Sequence, residues 1–312
     1  MMRLFTRVML AMYLAVVAGF NAQAQTRPKV TTSGADFPKT ALFVGNSFFY
    51  YNNGMPGHLS FMERAADPEN KLAYRNTMAT IGGSGLDWHD MDNLLRQGGI
   101  GAYSFDELNN VVFNKPGRQF DAVVMMDCSQ CPIHPQLKDA FATFAKKDSE
   151  IVRAHGMRPV LFMSWAYLDK PEMTEALAEA YTIAGNANDM LVIPAGLAFA
   201  RVRKLQPELN LYAPDKRHPS PAGTYLATCV TFAALTGRSP VGNPYNIGLD
   251  PETSSCCKRQ HGTRCRSTTG DSSCDINPIS TPPTPARDRL RRPRRGCSCR
   301  RRPWPGVRRG QG

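Results

Sequence analysis

Five apolar runs, each bounded by loop-forming residues, mark the chain at 41–45, 72–80, 122–126, 159–163 and 190–194. Their length and lack of alternation suit strands buried on both faces of a parallel sheet. Between them lie stretches of helical character at 55–66, 86–96, 136–154 and 171–186. A last helix is expected from just after Ser220 to Leu235, stopped by Gly237 with Pro240 three residues on. Strand and helix alternate, so the class is α/β. There is no internal repeat, and one domain over 38–252 accounts for the pattern.

The first run, Ala41-Leu42-Phe43-Val44, passes straight into Gly45-Asn46-Ser47. A serine is thereby placed where a buried strand ends, the position at which α/β enzymes keep their chemistry. Far downstream, Asp215-Lys216-Arg217-His218-Pro219-Ser220 sets an acid and an imidazole three residues apart on the loop before the last helix. A serine hydroxyl needs a base to take its proton, and the base needs a partner that fixes its tautomer. Ser47, His218 and Asp215 can fill those three roles. His58, His89, His134, His155 and His261 are the competing bases. His58 and His155 fall in helical stretches, as packing or surface residues would.

Gly-Asn-Ser near the start of the domain, with Asp-x-x-His near its end, resembles the SGNH (GDSL-like) serine hydrolases over about residues 40–250. The resemblance implies a three-layer α/β/α sandwich on a mostly parallel, flavodoxin-like five-stranded sheet. It also implies ester hydrolysis with no metal or other cofactor. The oxyanion hole of such enzymes is built from the serine amide, a glycine amide and usually an asparagine side chain. Gly83, in Gly82-Gly83-Ser84-Gly85 after the second strand, is the expected glycine, with Gly82 or Gly85 as alternatives of register. The asparagine is missing: the third strand runs into Asp127-Cys128-Ser129-Gln130-Cys131, where Ser129 or Gln130 would have to donate instead. Aromatic residues past the strand ends, Trp88, Trp165, Tyr167 and the 48–51 cluster, suit a sugar ring or an acyl group as well as they suit a core.

Residues 1–24 have the form of an export signal: Arg3 and Arg7, an apolar run from Val8 to Phe20, then Ala22-Gln23-Ala24. The run is shorter than the roughly 20 residues of a spanning helix. Cleavage is expected, giving a secreted or periplasmic protein without stable membrane insertion, with 25–37 as a linker. In that compartment Cys128 and Cys131 are expected as a structural disulfide or as buried thiols rather than a redox pair.

Net charge changes the picture only at the far end. The whole chain carries +12, and residues 253–312 alone hold 15 Lys and Arg against 3 Asp and Glu, so residues 1–252 are neutral. That Arg/Pro/Cys-rich tail has too few aliphatic residues to build a core. It is expected to be a disordered basic segment, and its abrupt onset resembles out-of-frame translation. Functional nucleic-acid binding is therefore not expected, although an exported basic binder remains the reading that the tail alone would support. The expected substrate is a small ester or an acylated carbohydrate. A glycan-binding module that keeps the fold without catalysis is the alternative, favoured by the missing asparagine.

Overall fold

The computed structural model describes residues 26–34, 36–106 and 108–260. In chain order the elements are β1 (Thr40–Gly45), α1 (Ser47–Tyr50), α2 (Met55–Ala66), β2 (Arg75–Thr80), α3 (Met91–Leu95), β3 (Tyr103–Phe105), β4 (Val111–Phe113) and β5 (Ala122–Met125). They continue as α4 (Lys138–Ala154), β6 (Arg158–Phe162), α5 (Met173–Ala187), β7 (Leu191–Ile193), α6 (Ala195–Leu205), α7 (Pro221–Thr236) and α8 (Pro251–Arg259). The expected leader over 1–24 and residues 261–312 of the tail, His261 included, lie outside the described residues.

The five apolar runs form one sheet in the order β2-β1-β5-β6-β7, with every neighbouring pair parallel. The chain leaves β1 toward one edge and returns to β5 on its other side. That reversal is the topological switch point of an open α/β sheet, where the strand ends leave a crevice. Side chains along β1 alternate between two cores. Ala41 and Phe43 pack with α2, α6 and α7, while Leu42 and Val44 pack with α3, α4 and α5. Both faces of the sheet are thus covered by helices, which gives the three-layer α/β/α sandwich. No helix among the described residues is long and apolar enough to cross a membrane.

Two boundaries differ from the sequence-based expectation. β2 begins at Arg75 because 68–73 coils into a 3-10 turn that leaves Leu72 in solvent. The helix expected over 86–96 divides into a 3-10 turn at Leu86–Trp88 and α3, whose start is capped by Asp90 accepting from the Asn93 amide. Described residues of the expected linker hydrogen-bond to the domain. The Thr26 amide donates to Glu179 Oε2 at 3.1 Å, the Lys29 amide to Asn186 Oδ1 at 2.7 Å, and Arg158 Nη2 to the Asp36 carbonyl at 2.9 Å.

The domain end is also corrected. A disordered segment was expected from 253, but α8 runs to Arg259, with Asp250 capping the Thr253 amide and Pro251 in the first turn. Ser254, Cys256 and Cys257 are buried, and Cys257 lies against the Ala222 carbonyl of α7. The local helix-start signal in Asp-Pro-Glu carries across the point where the composition changes. Small side chains then suffice to pack against α7.

Candidate active site

Ser47 owes its place to the strand-to-helix turn at the end of β1. Asn46 is extended and caps α1, its side chain accepting from the Phe48 amide at 3.2 Å. The same carboxamide donates to the carbonyls of Ser84 at 3.0 Å and Asp127 at 3.1 Å. One buried side chain therefore ties together the segments that follow β1, β2 and β5. Ser47 is the first residue of α1, so its N–H is one of those a helix cannot use internally.

The second half of the site is a tight loop before α7. The Ala213 amide donates to the His218 carbonyl at 2.8 Å, and Lys216 takes a left-handed backbone, φ 63°. Asp215 Oδ1 accepts from the amides of Arg217 and His218, each at 3.0 Å. Ser220 caps α7 by accepting from the Gly223 amide at 3.1 Å. Gly223 is required here, since a Cβ would sit 2.2 Å from the Leu211 carbonyl oxygen. From the β6 side, Trp165 Nε1 donates to the Arg217 carbonyl at 3.0 Å.

These two constructions bring Ser47, His218 and Asp215 together across 171 residues of sequence. His218 Nε2 lies 2.8 Å from Ser47 Oγ, and His218 Nδ1 is hydrogen-bonded to Asp215 Oδ2. Burial works against the Asp215 carboxylate. The hydrogen bond from the His218 side chain, those from the Arg217 and His218 amides, and the His218 charge outweigh it and hold Asp215 at about 2. The imidazole is also fixed by aromatic rings. Tyr51 stacks on it with centroids 4.0 Å apart and planes within 7°, and Phe48 meets it edge-on at 5.6 Å. Phe48 in turn stacks on Trp165, and Trp165 on Phe199, so the clamp is continuous with the core.

Of the oxyanion candidates, Gly83 sits on an exposed turn with φ +75° and open space where a side chain would begin. Gly85 is the buried glycine of the segment. A Cβ there would come within 2.7 Å of Asp127 Oδ1, and the next amide, Leu86, donates to that oxygen at 3.0 Å. Ser129 is half-buried, with Oγ 2.6 Å from the Tyr167 hydroxyl, whose ring lies under the Arg217 guanidinium. Gln130 precedes the 3-10 turn Cys131–Ile133 without capping it. Asp127 is buried, and burial raises it to about 6, partly offset by the hydrogen bonds from the Cys128 and Leu86 amides.

Cys128 and Cys131 form a disulfide that closes the loop carrying Ser129 and Gln130. Asp127, Cys128 and Cys131 are the one group of potential metal ligands among the described residues, and both sulfurs are committed to that bond. The other described histidines have structural partners. His58 bonds to the Tyr245 hydroxyl and the Asn52 carbonyl, and His89 to Ser84 Oγ at 3.0 Å. Burial pushes His89 below the usual imidazole range, against the opposing Gly45 carbonyl and Asp87 charge. His134 Nδ1 accepts from the Gln136 amide, and His155 caps the end of α4 beside Asp92. The sequence-based reading named Ser47, Asp215 and His218 but missed Asn46 as a tie and Tyr51 as a clamp. Asn46 stood inside the motif; Tyr51 gave no signal beyond lying in an aromatic cluster.

No protein-family model matches the chain, and no curated protein matches it. Solved structures similar to it include a protein from Slackia heliotrinireducens provisionally described as an SGNH hydrolase, 26% identical with a TM-score of 0.46, spanning 62% of this chain and 97% of its own. A DUF4886 family protein from Bacteroides uniformis is 19% identical, TM-score 0.48, over 71% of this chain and 92% of its own. An acetylxylan esterase from Geobacillus stearothermophilus is 15% identical, TM-score 0.43, over 70% and 96%.

Proposed function

We propose that the protein is an exported serine hydrolase of the SGNH type that cleaves carboxylic esters, acetyl esters of carbohydrates among them. The observation that carries this reading is the unbroken run of hydrogen bonds Asp215–His218–Ser47 at the switch point of the sheet. Export rests on the form of residues 1–24.

Ser47 Oγ attacks the ester carbonyl as its proton passes to His218 Nε2. Asp215 accepts from Nδ1–H, holds the tautomer and stabilises the imidazolium. The negative charge that grows on the carbonyl oxygen faces the amides of Ser47 and Gly85. Gly85 is given that role over Gly83 because it is buried next to Asp127 at the end of β5, whereas Gly83 lies on an exposed turn. Ser129 supplies the side-chain donor: with the Tyr167 hydroxyl donating to Ser129 Oγ, the serine proton is left for the oxyanion. Collapse of the tetrahedral adduct breaks the C–O bond, and the alcohol leaves with the proton from His218. Water, deprotonated by the same imidazole, then hydrolyses the acyl-serine.

Ser47→Ala tests this. Turnover of para-nitrophenyl acetate is expected to fall by on the order of 10⁶, as for loss of a nucleophile from a coupled triad, while the circular dichroism spectrum stays that of the parent. Hydrolysis by the variant at the parent rate would refute the assignment.

A further inference from the structure

The reaction above makes no use of an open cleft between the starts of α2 and α7 and the 245–248 loop. Its volume is about 380 Å³, and its lining includes Asn52, Asn53, Asn246, Tyr245, Pro221 and Ile247. It lies beside the triad. Asn52 Nδ2 donates to the Pro219 carbonyl at 2.9 Å, one residue past His218, and Tyr51, next to Asn52 in the chain, is the ring stacked on the imidazole.

The backbone around the cleft is unusual. Six non-glycine residues have positive φ among the described residues, and three of them line it: Asn52 (53°), Asn53 (67°) and Ile247 (56°). Asparagine tolerates that conformation, but a β-branched residue there is a true outlier. Strain of this kind persists where the surroundings impose it and collects at ligand sites.

The lining chemistry narrows the ligand. It contains no Lys, Arg, Asp or Glu, and both ring nitrogens of His58 are engaged, by the Tyr245 hydroxyl at 2.5 Å and the Asn52 carbonyl at 2.6 Å. Nothing there would fix an anion or a cation. Asn52 Nδ2 is spent on the Pro219 carbonyl and Thr224 Oγ1, and Asn246 Oδ1 accepts from the Gly248 amide, so the polar groups left for a ligand are the Asn52 oxygen, the Asn246 amide nitrogen and the Asn53 carboxamide. Such neutral donors and acceptors suit hydroxyl groups, whereas an alkyl chain would leave them unpaired. Tyr245, Pro221 and Ile247 add the apolar surface that covers the face of a ring. We propose that this cleft is a sugar-binding subsite, holding the neutral carbohydrate part of an O-acylated glycan while the ester carbonyl reaches Ser47. The proposal rests on the hydrolase reading for its catalytic consequence, but not for the binding itself.

The test compares wild type with the Asn53→Ala/Asn246→Ala double variant on two esters, para-nitrophenyl acetate and acetylated xylo-oligosaccharides. The ratio of kcat/KM for the sugar ester to that for the aryl ester is expected to fall about tenfold or more, since each lost neutral hydrogen bond is worth severalfold. An unchanged ratio would overturn the subsite and leave the hydrolase reading standing. If wild type hydrolyses neither ester, the hydrolase reading fails, and the subsite is judged by calorimetry of unacetylated xylo-oligosaccharides on the same two proteins. Binding weakened by the double variant sustains it; no binding to wild type overturns it.

Discussion

Asn46 offers the sharpest test of how the site is held. It is 4% exposed, and its carboxamide makes three hydrogen bonds, accepting from the Phe48 amide and donating to the carbonyls of Ser84 and Asp127. Asn46→Ala strips partners from three backbone groups at once, two of them on the segments that follow β2 and β5. A buried polar group left unpaired costs about 1–3 kcal/mol, so three at the low end give a loss of about 3 kcal/mol. For a domain of this size each kcal/mol lowers the melting temperature by about 2–4 °C, which predicts a fall of about 6–12 °C. Asn46→Asp keeps the cap on Phe48 but turns a carboxylate oxygen toward two carbonyls. Its deficit is expected to be larger at pH 8 than at pH 5, because protonation restores one donor. Urea unfolding at both pH values, with ester turnover measured well below the transition, reads both effects. An Asn46→Ala protein within about 0.5 kcal/mol of the parent and with unchanged turnover would refute the reasoning.

Three further outcomes are expected. Burial raises Glu63 to about 8 from an ordinary 4.5, offset in part by the Asn76 hydrogen bond and the Arg64 charge. The folded protein therefore binds this proton where the unfolded chain has lost it, and stability must fall as pH rises from about 4.5 to about 8; Glu63→Gln should flatten that slope in urea titrations, and an equally steep slope would exclude Glu63 as its source. Replacing both Cys128 and Cys131 by Ser opens a very short loop, so the entropic loss is only about 2 kcal/mol; turnover should drop by more than this implies, because the loop carries Ser129. Unaltered kinetics in the double variant would show that the loop keeps its shape without the bond. Truncation after Asp250 should melt below truncation after Gln260, since the first removes the buried Cys256 and Cys257 of α8; equal melting temperatures would mean that α8 adds nothing.

Much of the fold was legible because a doubly covered parallel sheet writes its strands as apolar runs. All five runs became strands: β1, β5, β6 and β7 place residues against both cores, whereas the edge strand β2 has no buried residue and reaches only one core, through the partly buried Ala79. The hairpin β3–β4 escaped because its apolar residues face solvent: Tyr103, Phe105, Val111 and Phe113 are all more than half exposed. Burial-based reasoning has nothing to read in such a segment. α6 escaped for a different reason. Its start follows β7 after a single residue, Pro194, which leaves no loop signature between strand and helix.

The triad was legible for a reason distinct from the fold. Asp215 and His218 interact across one tight turn, so their spacing of three residues is itself the geometry, and the same carboxylate that meets the imidazole also accepts from the two amides of the turn. Ser47 needed only to end a strand. The proposed oxyanion side lacks any such local constraint: the candidate donors lie on segments after β2 and β5 that meet only in space. Gly83 and Gly85 look alike in sequence, and what separates them is Asp127, 42 residues beyond Gly85, whose carboxylate accepts from the Leu86 amide and lies where a side chain on Gly85 would begin. The tail boundary follows the same logic in reverse. Charge and composition change at 253, but helix formation depends on the cap at Asp250 and on what Cys256 and Cys257 touch, and these continue to the end of α8. A change in composition marks where the sequence becomes unusual; the packed contacts mark where the domain ends.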